Sequence, residues 1–279
     1  MLNKIVLTGA SGRLGSYLRE PLSKLCKILI STDVNDEIGA LNDNEQFILA
    51  DLSKFEEINP VMIGANVICH FGAIVDEKPF NQLLGPNFIG SYNVWETAKL
   101  NNVKRVIYAS SIHAVGMYSN SIKLTPFVPH RPDTYYGLSK CFSEDLARMY
   151  YEKNQIETAC LRIASCAPVT TKRGLASWLS YNDLILLVKA AIEAKFIGFS
   201  ILYGVSNNTR KKIDNSESKH VGFKPKDNAE VYAKKILKKD LSEEISDPGN
   251  KCHGGPFAST ELGISPIEKM NIINKKKED

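Results

Sequence analysis

The sequence predicts an α/β protein built on a doubly wound parallel sheet. Three observations carry that reading. Short apolar runs alternate with helix-like segments over the first two thirds of the chain, the pattern of βαβ units. The runs lack strict apolar–polar alternation, as strands covered on both faces do. A glycine-rich turn, TGASGRLGSYL, follows the first run and opens a helix-like segment.

The strand-like runs are KIVLTG (4–9), KILIST (27–32), QFILA (46–50), NVICHFG (66–72), KRVIYASS (104–111) and TACLRIAS (158–165). Helix-like segments cover 13–25, 53–63, 80–101 and 134–153. Beyond residue 165 the alternation loosens. Residues 177–194 read as an amphipathic helix, 199–203 as a strand, and 227–239 as a last helix with Asp227 as its N-cap. In an open α/β sheet, ligands bind outside the carboxyl ends of the strands, and a late segment can close over them. We therefore assign 1–165 to a nucleotide-binding core and 166–265 to a small C-terminal substrate lobe that partly returns to the core sheet. Residues 266–279 form a polar tail that ends KKKED.

Composition narrows the class. The 279 residues are 43% apolar and 24% charged, the balance of a soluble protein. Lysine plus arginine is 35 against 31 aspartate plus glutamate, a net charge of +4. That excess is too small to argue for nucleic acid or an anionic membrane as partner. The six cysteines, at 26, 69, 141, 160, 166 and 252, form no C-x-x-C pair and have no metal-ligand spacing. They read as free thiols in a reducing compartment, and no metal is expected. MLNKIVLTGA enters a strand directly, without a signal-peptide pattern, and no stretch is long enough to span a bilayer. A cytoplasmic protein is expected. The helices over 80–101 and 134–153 are candidates for pairing in a homo-oligomer.

The first turn places glycines at 9, 12 and 15. Glycine permits a tight turn and close approach of backbone to a phosphate, and the following helix offers its N-terminal amides to a pyrophosphate. The second strand ends ISTDV. Asp33 stands where an acid accepts hydrogen bonds from an adenosine ribose and repels a 2′-phosphate, which points to NAD over NADP. Asp51 and Leu52 follow the third strand, where a nucleotide fold often contacts the adenine; Asp51 also reads as a helix cap. Gly72 and Ala73 are small residues at the end of the fourth strand, beside the expected path of a cofactor. Together these mark the sheet as Rossmann-type.

The proton chemistry is read from RPDTYYGLSKCFS (131–143). Tyr136 and Lys140 stand one helical turn apart, so both heads reach one point. A neighbouring ammonium favours a phenolate, which otherwise forms only near pH ~10. Ser110 and Ser111 end the fifth strand, where a hydroxyl can bond an oxygen as charge develops on it. Arg173 lies in TTKRGLAS; a guanidinium grips a carboxylate with two parallel hydrogen bonds, although a loop arginine is often only solvated. His113 reads equally as a structural histidine or a substrate donor.

The glycine pattern, Asp33, Ser111 and the Tyr136/Lys140 pair, in that order, resemble the short-chain dehydrogenase/reductases of the extended type, in the NAD-dependent epimerase/dehydratase superfamily. NFIGSYNV (87–94) is similar to that type's Asn-x-x-Gly segment. VDEKPF (75–80), YGLSKCFSEDLARMYYEK (136–153), RIASC (162–166) and GFKPKDNAE (222–230) narrow the resemblance, over nearly all of 1–260, to members that act on sugar acids. It implies NAD-dependent oxidation of the anomeric carbon of galacturonate or glucuronate to an aldarolactone. It implies Tyr136 as base, Lys140 as partner of the nicotinamide ribose and of the phenol, and Ser111 as the group that positions the sugar oxygen. It implies a cofactor surface of Gly9, Gly12, Arg13, Leu14, Gly15, Asp33, Val34, Asp51, Leu52, Gly72, Ala73, Ile74, Lys140 and Ser165. The implied sugar surface is Val75, Ser111, Ile112, His113, Ser165, Cys166 and Arg173. Two positions depart from the pattern: Val75 stands for a serine and Ile112 for an asparagine. Neither aliphatic chain can bond a sugar hydroxyl. A dehydrogenase of a related aldose or sugar phosphate therefore stays open, as do a sugar-nucleotide epimerase or dehydratase and a non-catalytic NAD-sensing module.

Overall fold

The computed structural model of the chain describes residues 1–238 and 247–267. Seven parallel strands form one sheet: β1 (Leu2–Thr8), β2 (Cys26–Asp33), β3 (Glu45–Leu49), β4 (Val67–His70), β5 (Arg105–Tyr108), β6 (Glu157–Ile163) and β7 (Phe199–Gly204). Their spatial order is β3-β2-β1-β4-β5-β6-β7. The chain runs outward from β1 to β3, then returns to the far side of β1 to lay down β4. That reversal opens a crevice between the ends of β1 and β4. Thr8 pairs with Thr32 on one side and His70 on the other, so these three strands end level.

Helices cover both faces, as parallel strands require. On one side α1 (Arg13–Ser23) and α7 (Tyr181–Glu193) bury Leu18, Leu22, Leu184, Leu187 and Val188 against β1, β5 and β6. On the other, α2 (Phe55–Met62), α4 (Gly90–Leu100) and α5 (Tyr135–Asn154) bury Ile58, Val61, Val94, Trp95 and Ala147. Each buried Leu, Ile or Val among them contributes roughly 1.5–3 kcal/mol, so this double layer holds the strand ends, and the cleft above them, in place. No described helix is long and apolar enough to cross a membrane.

The late segment behaves in two ways. β7 continues the sheet beside β6, and α7 packs on α1. Residues 247–267 instead line the cleft at the carboxyl ends of the strands. Three predicted helices differ in detail. The segment 80–101 is helical but not uniform: α3 (Phe80–Leu83) passes into a π-helical stretch (Leu84–Ile89) before α4. Pro86 lies within that stretch and donates no amide, which breaks the i to i−4 ladder there. The 177–194 helix starts later than predicted, as α7, after the short α6 (Gly174–Ser177) has ended, because Ser180 caps α7 by accepting from the Asp183 amide. Over its described part, 227–238, the last predicted helix reduces to a 3₁₀ turn (Ala229–Tyr232) and α8 (Ala233–Ile236), capped by Asn228 and not Asp227. Asp227 accepts from Ser180 Oγ instead. The KKKED end of the polar tail lies outside the described residues.

Candidate active site

A cleft of about 1630 Å³ opens over the strand ends. Gly9, Gly12, Arg13, Leu14 and Gly15 line its first wall. Gly9 has φ 73° and packs on the turn after β4: a Cβ there would lie 2.5 Å from the Gly72 amide nitrogen. At Gly15 a Cβ would lie 2.0 Å from the Gly9 carbonyl. Only glycine lets the two turns and α1 close up this tightly. The first-turn amides of α1, which have no intrahelical partner, stand at the cleft.

Asp33 ends β2. Its carboxylate accepts from the Ser11 amide at 3.0 Å and the Val34 amide at 2.8 Å, tying the glycine turn to the second strand. Val34 lines the cleft beside it and is exposed. Thr32, also on the lining, keeps a buried hydroxyl with no hydrogen-bond partner among the described residues. Asp51 accepts from the Ser53 amide and hydroxyl within the turn after β3 and does not cap α2, whose N-cap is Lys54; Leu52 packs against Gly72. Gly72 donates to Thr8 Oγ1, and Asn87 clamps Ile74 through both its amide and its carbonyl. Ala73 and Ile74 complete that wall.

The second wall carries the proton chemistry. Thr134 caps α5 by accepting from the Gly137 amide, which sets Tyr136 and Lys140 on successive turns facing the cleft. Both are buried. Burial pushes the Tyr136 phenol up to about 12; a hydrogen bond from Ser111 pulls the other way, and the Asp133 and Asp76 carboxylates add to the rise. Burial pushes Lys140 down to about 7, against the attraction of Glu144. The sequence leads one to expect Lys140 to lower the phenol; in the structure burial dominates both groups, in opposite directions. Lys140 Nζ donates to the Ala109 carbonyl at 2.8 Å and lies 5.4 Å from the Tyr136 ring centre.

Beneath this pair lies a buried polar network. Glu144 accepts from Ser110, from His130 at 2.8 Å and from Arg162. Burial would raise this carboxyl, but those donors outweigh it and hold it at about 2. The network pins the end of β5 to α5, which sets Ser111 against Tyr136.

Ser165, Cys166 and Arg173 line the cleft, as do His113 and Val75. Burial pushes the Cys166 thiol up to about 12, so it is no thiolate. Arg173 donates to the His253 carbonyl at 2.6 Å. Ile112 is the exception. It begins a 3₁₀ turn (Ile112–Val115), packs inside a cluster with Val115, Leu124, Tyr203 and Ile213, and does not line the cleft. Of the two departures from the family pattern, only Val75 borders the site.

Residues 5–169 match the model of the NAD dependent epimerase/dehydratase family, more than half of the sequence. The chain belongs to that family. A uronate dehydrogenase of Pseudomonas putida is 37% identical over 257 residues, 92% of this chain and 96% of that protein. A mutant uronate dehydrogenase from Agrobacterium tumefaciens, solved in complex with NAD, aligns with a TM-score of 0.89 at 37% identity, covering 94% of this chain and 98% of the other. A glucuronic acid dehydrogenase from Chromohalobacter salexigens has the same TM-score, 0.89, and identity, 37%.

The epimerase/dehydratase family match stops before Arg173 and before the segment 247–267. Around that segment lie three residues the sequence reading missed: Phe257 within it, and Glu77 and Asp133 earlier in the chain. Phe257 stacks on His113 with ring centres 4.1 Å apart. Glu77, fully buried, accepts from the Tyr136 amide at 2.9 Å and the Gly263 amide at 2.7 Å. Asp133 receives His113 Nδ1 at 2.7 Å. Glu77 and Asp133 both lie in stretches quoted above, VDEKPF and RPDTYYG, yet no local pattern marks a carboxylate whose partners are amides far along the chain.

Proposed function

We propose that the protein oxidises the anomeric carbon of a hexuronate, galacturonate or glucuronate, to the aldarolactone, with NAD. One observation carries this: a single cleft joins the Ser111, Tyr136 and Lys140 set to a guanidinium, in a chain similar to uronate dehydrogenases over nearly its full length. The residues fit the cofactor. The glycine turn and α1 amides suit a pyrophosphate, Asp33 suits ribose hydroxyls, and the orphaned Thr32 hydroxyl lies at the same end. NAD, when bound, supplies the hydride acceptor.

The rest is done by this chain's own side chains. Tyr136 takes the proton of the anomeric hydroxyl. Ser111, hydrogen-bonded to the phenol, orients the reacting oxygen and stabilises charge on it. Lys140 holds the nicotinamide ribose, and its cationic form favours the phenolate without overcoming the burial that keeps the phenol high. Arg173 takes the carboxylate, and the residues beyond 165 supply this side of the site. All six cysteines are free and five are buried, which supports a reducing compartment, and we place the enzyme in the cytoplasm.

Val75, exposed on the cleft, favours a second reading: dehydrogenation of a neutral aldose or a sugar phosphate. The deciding experiment follows NADH formation with galacturonate, glucuronate, galactose, glucose and glucose 6-phosphate. The uronates are expected to give the highest kcat/KM. Oxidation of an aldose or phosphate with inert uronates would overturn the first reading in favour of the second.

A further inference from the structure

Asp133 is held as few surface-loop aspartates are. Its side chain is fully buried. Three glycines from three segments close around it. A Cβ on Gly116 or on Gly254 would lie 1.9 Å from Oδ2, and one on Gly137 would lie 3.0 Å from Oδ1. No larger residue fits at 116 or 254 while the carboxylate stays. The cradle serves two hydrogen bonds. Thr134 Oγ1 donates to Oδ1 at 2.9 Å, since that hydroxyl already accepts from the Gly137 amide. His113 Nδ1 meets Oδ2 at 2.7 Å. An ionised carboxylate only accepts, so Nδ1 carries a proton. The imidazole is then fixed between two rings: Phe257 stacked at 4.1 Å and Tyr136 edge-on at 5.7 Å. His113 lines the cleft, and its Nε2 has no hydrogen-bond partner among the described residues.

We propose that Asp133 is a positioning residue that fixes His113 as the neutral Nδ1–H tautomer, so that Nε2 accepts a hydrogen bond from a sugar hydroxyl and does not donate to the substrate carboxylate. This rests on the hexuronate reading for the identity of the hydroxyl, but not for the tautomer. It divides the work at the sugar end: Arg173 reads the charge, and His113 reads a hydroxyl donor.

The test uses Asp133→Asn, which fits the same cradle. Thr134 still requires an acceptor, so the carboxamide oxygen turns to Thr134 and its NH₂ faces Nδ1. Nδ1 must then accept, and the ring proton moves to Nε2. Two measurements follow. Nitrogen-15 NMR of the imidazole in the resting enzyme at neutral pH should show Nδ1–H with bare Nε2 in the wild type and the reverse in Asp133→Asn. A wild-type ring protonated on Nε2, or on both nitrogens, overturns the proposal. In kinetics, Asp133→Asn should lower kcat/KM for hexuronate by about tenfold to a hundredfold, chiefly through KM for the sugar. KM for NAD should stay within about twofold. The same substitution in a His113→Ala background should cost less than about twofold, because Asp133 acts through the ring. Equal losses in both backgrounds would mean that Asp133 only holds the loop, and would overturn it. A wild type inert on every hexuronate would sink the functional reading instead, and the NMR result would still decide the tautomer.

Discussion

The two ends of the cleft are built on different plans. The dinucleotide end is local. Its parts are the first residues after β1, β2, β3 and β4, tied between neighbouring strand ends: Ser11 to Asp33, 22 residues apart, and Thr8 to the Gly72 amide, 64 residues apart. Backbone contacts and glycine clearances do most of the positioning. The sugar end is assembled from distant pieces. Arg173 meets the His253 carbonyl 80 residues away, and Glu77 meets the Gly263 amide 186 residues away. Side chains anchor backbone there, and a chain segment outside the family match forms the wall. One scaffold therefore keeps its cofactor through ties between neighbouring strand ends, while the sugar side depends on a few ties to a late segment that single substitutions can undo.

Tyr136 sits where the two ends meet, so it gives the largest effect. Tyr136→Phe removes the proton acceptor but keeps the ring that packs beside His113 and Phe257. Turnover should fall by roughly 10²–10⁴, the usual range for a positioned acid–base group. NAD affinity, set by the local end, should change little. Steady-state rates with NAD titrations separate the two, and near-normal kcat would remove Tyr136 as the base.

Arg173 tests the sugar end alone. A charge-assisted bond to a carboxylate is typically worth ~1.5–3 kcal/mol. Arg173→Ala should lower kcat/KM for uronates by roughly tenfold to a hundredfold. A neutral aldose has no carboxylate to lose and should suffer much less. The ratio of galacturonate to galactose before and after is the measurement. Equal losses on both sugars would show that Arg173 mainly holds the 253–255 backbone.

The same contrast explains what the sequence revealed. The dinucleotide end was legible because its requirements are read at short offsets: a glycine after a strand, an acid after the next, small residues after the fourth. Tyr136 and Lys140 were legible because helical spacing alone puts them together. Ile112 misled, since it neighbours Ser111 in sequence but turns into an apolar cluster as the 3₁₀ turn begins. Asp133 and Glu77 were invisible for a different reason. Their partners are His113, Gly254 and Gly263, and only the fold brings these to one place.

Asp33 sharpens the comparison from the local side. Asp33→Asn keeps an acceptor for the Ser11 amide but removes the charge that repels a 2′-phosphate. The preference for NAD over NADP should narrow by about tenfold, on the scale of one charge-assisted hydrogen bond. KM for the sugar should not move. An unchanged preference in kcat/KM for the two dinucleotides would mean that other groups set it.

Glu77 gives the smallest effect on turnover and the finest test of the long-range plan. Its two oxygens accept from two amides, a buried one at the start of α5 and a part-buried one in the segment 247–267. Glu77→Gln has the same shape, but its carboxamide can accept only one of those bonds on its oxygen. The NH₂ must then face the other amide, donor to donor. Leaving a buried amide unpaired costs roughly 1–3 kcal/mol. The α5 amide sits in a helix capped by Thr134 and packed on the core, so the oxygen is expected to stay with Tyr136 and the part-buried Gly263 contact to break. Hydrogen exchange at Gly263 should then speed up by roughly tenfold or more, with little change at Tyr136. KM for the sugar should rise a few-fold on the same scale, and KM for NAD should hold. If exchange quickens at Tyr136 instead and NAD binding weakens with it, the two ends are coupled through Glu77 and are not independent.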